Sequence, residues 1–139
     1  LIFAKKVNFQ SYLEQFRCAD LYLDTFTYNA GATASNALYA GLPVLTKPGN
    51  GYPARMASSL LYAIDLPELI ASSEEEYKTK AVEIATSPEK LKALKNKLHT
   101  NKKSAPLFDS ELFTRNLEKG LIKAHKMRKK NTKLKDIYL

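Results

Sequence analysis

Four of the chain's five glycines fall between positions 31 and 51, and three of its six prolines, Pro43, Pro48 and Pro53, lie in or beside that window. Small and chain-bending residues crowded together mark tight corners between short elements, and they rule out a long helix there. The flanking apolar runs say what the corners connect. LIFA at 1–4, DLYLDT at 20–25 and LPVLT at 42–46 read as strands. Between the first two, Phe9, Tyr12, Leu13 and Phe16 recur at helical i, i+3, i+4, i+7 spacing. Between the second and third, residues 32–40 are again helical, and Gly41 stands where a left-handed residue ends a helix. Pro53 suits a first helical turn, with ARMASSLLYAI behind it. This alternation predicts an α/β domain with a doubly wound open parallel sheet, in which strands 1–4 and 20–25 are parallel neighbours.

Beyond Asp65 the pattern turns helical. Ser73 and Glu76 form a capping box, Ser87 followed by Pro88 opens a second helix, and Asp109 or Ser110 caps a third. Residues 1–127 are expected to form one lobe and 128–139 a basic tail. Charge supports that division: residues 1–100 carry 11 basic and 10 acidic side chains, whereas residues 101–139 carry 11 and 4. The tail lacks aromatic interleaving before Tyr138 and reads as a solvated helix face, with no nucleic-acid or membrane partner expected.

The lone cysteine, Cys18, reads as a small buried thiol suited to a reducing compartment. No run of about 18 apolar residues is present, so the expectation is a soluble, cytoplasmic protein. His99 and His125 have no paired cysteine or acid pattern, and no metal site is expected. The chain opens at Leu1 on an apolar run with nothing before it to pair with, as a piece of a longer protein would.

In open α/β sheets ligands bind beyond the carboxyl ends of the strands. Three loops qualify, at 5–9, 26–32 and 47–52. In the second, Gly31, Ala32 and Thr33 open a helix whose unpaired N–H groups and dipole favour an anion, or else make a tight corner for packing alone. Thr33 and Asn36 fall near one face of that helix. In the third loop, Lys47 and Arg55 are either phosphate ligands or solvated charge. In the first, Phe9 and Tyr12 either wall a flat ring or belong to the core. Asp24 is read as a cap for the turn that follows it.

Taken together, ADLYLDTFTYNAGATASNALYAGLPVLTKPGNGYPARMASSLL, with LPELIASSEEEYKTKAVEIAT and APLFDSELFTRNLEKGL behind it, resembles the C-terminal catalytic lobe of O-GlcNAc transferase and SPINDLY-like protein glycosyltransferases. The resemblance implies a GT-B enzyme: a Rossmann-like lobe with extra C-terminal helices, a preceding Rossmann lobe and upstream tetratricopeptide repeats. It further implies a UDP- or GDP-sugar donor, a protein acceptor, and neither cofactor nor metal. The family's loop Asn-Ala-His-Thr-Thr-Ala-Ser-Asp matches Asn29 through Asn36, with Thr33, Ala34 and Ser35 agreeing. Gly31 stands for the phosphate-side His, Ala32 for the first Thr and Asn36 for the ribose-binding Asp. Phe9 and Tyr12 replace the Lys and His of the base-binding loop, with Val7 offering a backbone contact. The nucleotide-sugar site is thus expected at Val7, Phe9, Tyr12, Asn29, Gly31, Ala32, Thr33 and Asn36. The competing expectation is a lobe that kept the fold and serves as a binding or scaffold module.

Overall fold

The computed structural model describes residues 2–130 and 136–138. They fall into two compact units, Leu1–Leu107 and Phe108–Leu139.

In the first unit, α1 (Phe9–Gln15) leads through a 3-10 turn, Phe16–Cys18, to β1 (Tyr22–Leu23). Then come α2 (Ala32–Ala40), β2 (Val44–Leu45), a 3-10 turn at Pro53–Arg55, α3 (Met56–Ala63), α4 (Glu74–Thr86) and α5 (Pro88–Asn101). β1 and β2 pair in parallel, Tyr22 against Val44 and Leu23 against Leu45. A further parallel bridge joins Thr46 to Ile70, with the Thr46 amide donating to Leu69 O and the Ala71 amide to Thr46 O. Two of the three predicted strands, 20–25 and 42–46, form and pair in parallel across α2, whereas the third parallel segment is the unpredicted one at Ile70; all three run their carboxyl ends to one edge. The bridge at Ile70 is a contact that a two-residue apolar step in LPELIAS does not advertise.

The helix boundaries follow local chemistry. Gly41 adopts φ 94°, and around it the Leu42 amide reaches Ala37 O while the Gly41 amide reaches Leu38 O, a Schellman closure. That stop turns the chain straight into β2, which is fully buried. Ser73 Oγ accepts from the Glu76 amide and Ser87 Oγ from the Lys90 amide, so both predicted caps form. Leu38, Val44, Leu45, Leu61, Ile64, Leu66, Leu69 and Leu98 are wholly buried and make up the core, in which α2 packs against β2.

Two expectations fail at the amino end. Residues 2–8 form no strand, and Ile2 and Phe3 are exposed; Leu1 lies outside the described residues. An apolar run says that a segment seeks cover without saying which ladder supplies it, and no backbone hydrogen bond joins 2–8 to β1. Cys18 is exposed, not buried. It sits in the turn after α1, a helix that buries none of its residues, and burial along RCADLYL begins only at Leu21.

The second unit is built on α6 (Ser110–Lys129), whose N-cap Asp109 accepts from the Leu112 amide at 2.7 Å. Lys123 Nζ donates to Tyr138 O at 3.2 Å. Positions 131–135 and 139 of the expected basic tail lie outside the described residues.

One buried carboxylate fastens the sheet edge. Asp24, 5% exposed, follows β1 directly. Its Oδ1 accepts from the Ala30 amide at 2.8 Å, its Oδ2 from Thr46 Oγ1 at 2.6 Å, and its backbone O from the Tyr77 hydroxyl at 3.0 Å. The end of β1, the loop before α2, the end of β2 and α4 therefore meet at one residue. Removing the carboxylate leaves the Ala30 N–H and the Thr46 hydroxyl unpaired in a dry site. Asp24→Ala is expected to lower the unfolding free energy by about 2–4 kcal/mol in urea denaturation. Asp24→Asn, whose amide oxygen still accepts from Ala30, is expected to lose less.

At the head of α4, Glu76 accepts from the Ser72 hydroxyl at 2.5 Å, the Lys80 ammonium at 2.9 Å and the Ser72 amide at 2.7 Å. The Ser72 hydroxyl first, then Lys80, then the Ser72 amide hold its carboxyl at about 2 instead of the ordinary 4.5. Because the folded value lies below the unfolded one, the stabilisation is complete above the unfolded value and is lost as pH falls through about 2. An NMR titration of the Glu76 carboxyl should find its midpoint near 2; a midpoint at the ordinary value would refute the assigned network.

Candidate functional site at the carboxyl edge of the sheet

The loop between β1 and α2 is shaped from within. Thr25 Oγ1 donates to Tyr28 O at 2.6 Å, Asn29 Nδ2 donates to Thr25 O at 2.6 Å, and Asp24 anchors Ala30. It is also shaped from outside, by the second corner. The Asn29 amide donates to Pro53 O at 3.1 Å, a Cβ placed on Gly49 would lie 3.8 Å from Phe26 O, and one placed on Gly31 would lie 3.7 Å from Met56 Cε. The two glycine-rich corners are thus one interlocked surface.

That surface presents the start of α2. Gly31 occupies the N-cap with no side chain to cap the helix, and Ala32 and Thr33 are exposed in the first turn. With Ala32 and Thr33 exposed, the first-turn N–H groups and the positive end of the helix dipole are open to an anion. Asn36 is half-buried one turn along. Asn29 is wholly buried, and its Oδ1 has no hydrogen-bond partner, an unsatisfied acceptor immediately before the corner.

In the second corner, Gly49 is required by packing. A Cβ there would stand 2.9 Å from Ala54 Cβ, and the Gly49 amide already donates to Ala54 O at 2.7 Å. The Arg55 guanidinium folds back on Asn50 O at 2.9 Å and helps close the loop. Lys47 lies over the Phe26 ring, 5.2 Å from its centroid.

The predicted site residues divide into two groups. Asn29, Gly31, Ala32, Thr33 and Asn36 come together at this corner. Val7 and Phe9 are exposed, and Tyr12 is half-buried on α1, which neighbours α2. The Phe9 and Tyr12 rings lie tilted with centroids 6.2 Å apart, and Tyr12 meets Phe16 edge-on at 4.9 Å. No hydrogen bond or ring contact joins these residues to 29–36 among the described residues. Burial pushes the Tyr22 phenol up, with the Asp24 carboxylate and Tyr12 adding to it; burial, Asp24 and Tyr22 do the same for Tyr77. Of the residues that build the corner, Asp24 was legible as a turn cap, whereas Thr46, Phe26 and Tyr77 carried no local signal.

Two clefts of the first unit lie elsewhere. One, of about 310 Å³, is floored by Leu69, Ile84 and Leu94; the other, of about 350 Å³, brings Arg17 and Lys102 together beside Tyr39. Burial, then the Arg17 charge, holds the Lys102 ammonium below its ordinary value. Neither cleft is lined by any residue of 29–36. Among the described residues no group of three or more His, Cys, Asp or Glu is placed to hold a metal ion, and no helix is long and apolar enough to cross a membrane.

Comparison with known proteins gives this edge a family. The model of glycosyl transferase family 41 matches residues 1–117. The probable UDP-N-acetylglucosamine–peptide N-acetylglucosaminyltransferase SEC of Arabidopsis thaliana is 35% identical over 124 residues, which are 88% of this chain and 13% of that protein. The corresponding transferase of Caenorhabditis elegans is 30% identical over 118 residues, 85% of this chain and 10% of the relative. A probable SPINDLY transferase of Solanum lycopersicum is 33% identical over 107 residues, 77% and 12% of the two chains. The chain therefore spans roughly an eighth or less of the curated relatives it matches. A solved mutant O-GlcNAc transferase of Thermobaculum terrenum superposes with TM-score 0.76 at 30% identity, covering 83% of this chain and 22% of that one. With that match the fold is a Rossmann-like lobe of the GT-B kind, and the chain belongs to glycosyl transferase family 41.

Proposed function

We propose that this chain is the nucleotide-sugar-binding lobe of a protein O-glycosyltransferase, which transfers a sugar from a UDP- or GDP-sugar to Ser or Thr of an acceptor protein. The observation that carries the reading is the uncapped start of α2, set among small residues at the carboxyl edge of a parallel sheet. Its relatives are named as peptide N-acetylglucosaminyltransferases, and the family match supports the same chemistry here.

The backbone N–H groups of Ala32 and Thr33 would receive the diphosphate. When the glycosidic bond to the donor breaks, negative charge grows on the leaving nucleotide, and a fixed helix end stabilises it without reorganising. Asn36 would meet the ribose, offering one acceptor oxygen and one donor where the family's Asp offers a carboxylate. Asn29 belongs to the same corner, and Val7, Phe9 and Tyr12 would border the base. Residues 1–127 are the working lobe in this reading and 128–139 its basic tail. The acceptor-side groups and any general base would come from a preceding Rossmann lobe, with tetratricopeptide repeats upstream, in a cytoplasmic enzyme that uses no metal or cofactor.

Calorimetric titration of UDP and GDP into the full-length protein tests the reading. Binding of one of them is expected, and a folded protein that binds neither supports the scaffold alternative. Asn36→Asp is expected to tighten UDP binding by roughly tenfold, the worth of one charge-assisted hydrogen bond. Gly31→His is expected to fold normally, because its backbone φ is −96° and a Cβ there meets only Met56 Cε at ordinary contact distance. Retained thermal stability in that variant checks the steric argument.

A further inference from the structure

We propose that Lys47 is the cationic side chain of the donor site and sets its preference for a diphosphate over an uncharged nucleoside; this rests on the nucleotide-sugar reading above. Lys47 follows Thr46 at the carboxyl end of β2, on the edge where α2 begins. Its ammonium lies over the Phe26 ring at 5.2 Å. Phe26 belongs to the first corner, so the cation of the second corner is held against the first.

That ring is itself packed and tethered. The edge of Tyr77 meets Phe26 at 4.8 Å with the planes 86° apart. The Tyr77 hydroxyl in turn donates to the backbone oxygen of Asp24, the residue whose carboxylate holds Ala30. One chain of contacts thus runs from the anchor of the helix start to the lysine, fixing the charge and the N–H groups in a common frame.

The lysine is not accounted for by pairing within the protein. Among the described residues no carboxylate lies within ion-pair distance of it, while Lys80, Lys90, Lys95 and Lys97 all have one. The buried acid nearest in the contact chain, Asp24, already spends both oxygens on Ala30 and Thr46. The other cation of the corner, Arg55, is turned onto Asn50 O. A half-buried lysine whose ammonium lies on an aromatic platform, with no carboxylate paired to it among the described residues, suits an incoming polyanion. With Gly31 and Ala32 offering the phosphates no side-chain donor, Lys47 is the group able to add charge to the backbone cradle.

The test uses the full-length protein, with UDP, GDP, uridine and guanosine as probes in calorimetry. Wild type should bind one diphosphate. Lys47→Met, which keeps an apolar stem on Phe26, should weaken that diphosphate roughly tenfold and leave the matching nucleoside unchanged. Lys47→Arg should retain most of the diphosphate affinity, and added salt should narrow the gap between wild type and Lys47→Met. Equal diphosphate affinity in wild type and Lys47→Met overturns the proposal while leaving the donor site intact. So does a parallel loss of diphosphate and nucleoside, which marks a structural role. Failure of wild type to bind either diphosphate overturns the donor-site reading and this inference together.

Discussion

The carboxylate of Asp24 is the constraint on which the rest of the sheet edge depends. A buried charge is costly unless its oxygens are hydrogen-bonded, and here each oxygen accepts from a different element. The result is geometric as much as energetic. Parallel strands as short as Tyr22–Leu23 and Val44–Leu45 cannot by themselves hold two long corners in register. Asp24 does so by tying the first corner at Ala30 to the end of β2 at Thr46, while Tyr77 brings α4 onto the same residue. Together with the Asn29 amide on Pro53 O, that side chain orients the α2 N-terminus and with it the direction of its dipole.

The elements governed by local rules were legible in the sequence. Gly41 ended α2, Ser73 and Ser87 capped their helices, and Asp109 capped α6, because each of these decisions is taken within five residues. What depended on distant partners was not. The run at 1–4 has the composition of a strand, but its described residues 2–4 pair with nothing described, and Cys18 is exposed because the elements beside it bury nothing. The parallel bridge at Ile70 spans 24 positions to Thr46 and leaves no periodicity to find.

The site divides along the same line. The helix start at Gly31 to Thr33 was visible as a cluster of small residues before a helical pattern, a local signature. Its framework was not, since Thr46 and Tyr77 join Asp24 across separations of up to 53 residues, and Phe26 packs on Tyr77. Asn29 shows the limit most clearly. The resemblance placed it in the loop, but that its Oδ1 is buried without a partner is a property only the folded chain has.

The division of labour at the corner also explains how the family's loop can change its side chains and keep its shape. The corner's geometry is held by Asp24, by the Asn29 amide on Pro53 O and by the close approach of Gly49 to Ala54, none of which involves the side chains at 31, 32 or 36. Those three positions are therefore free, mechanically, to be Gly, Ala and Asn. Gly49 is not free in this way, because a Cβ there would press on Ala54 at 2.9 Å and force the second corner open. The first corner's glycine tolerates a side chain at ordinary contact distance; the second corner's glycine is fixed by its neighbour and holds the backbone against which the first is set.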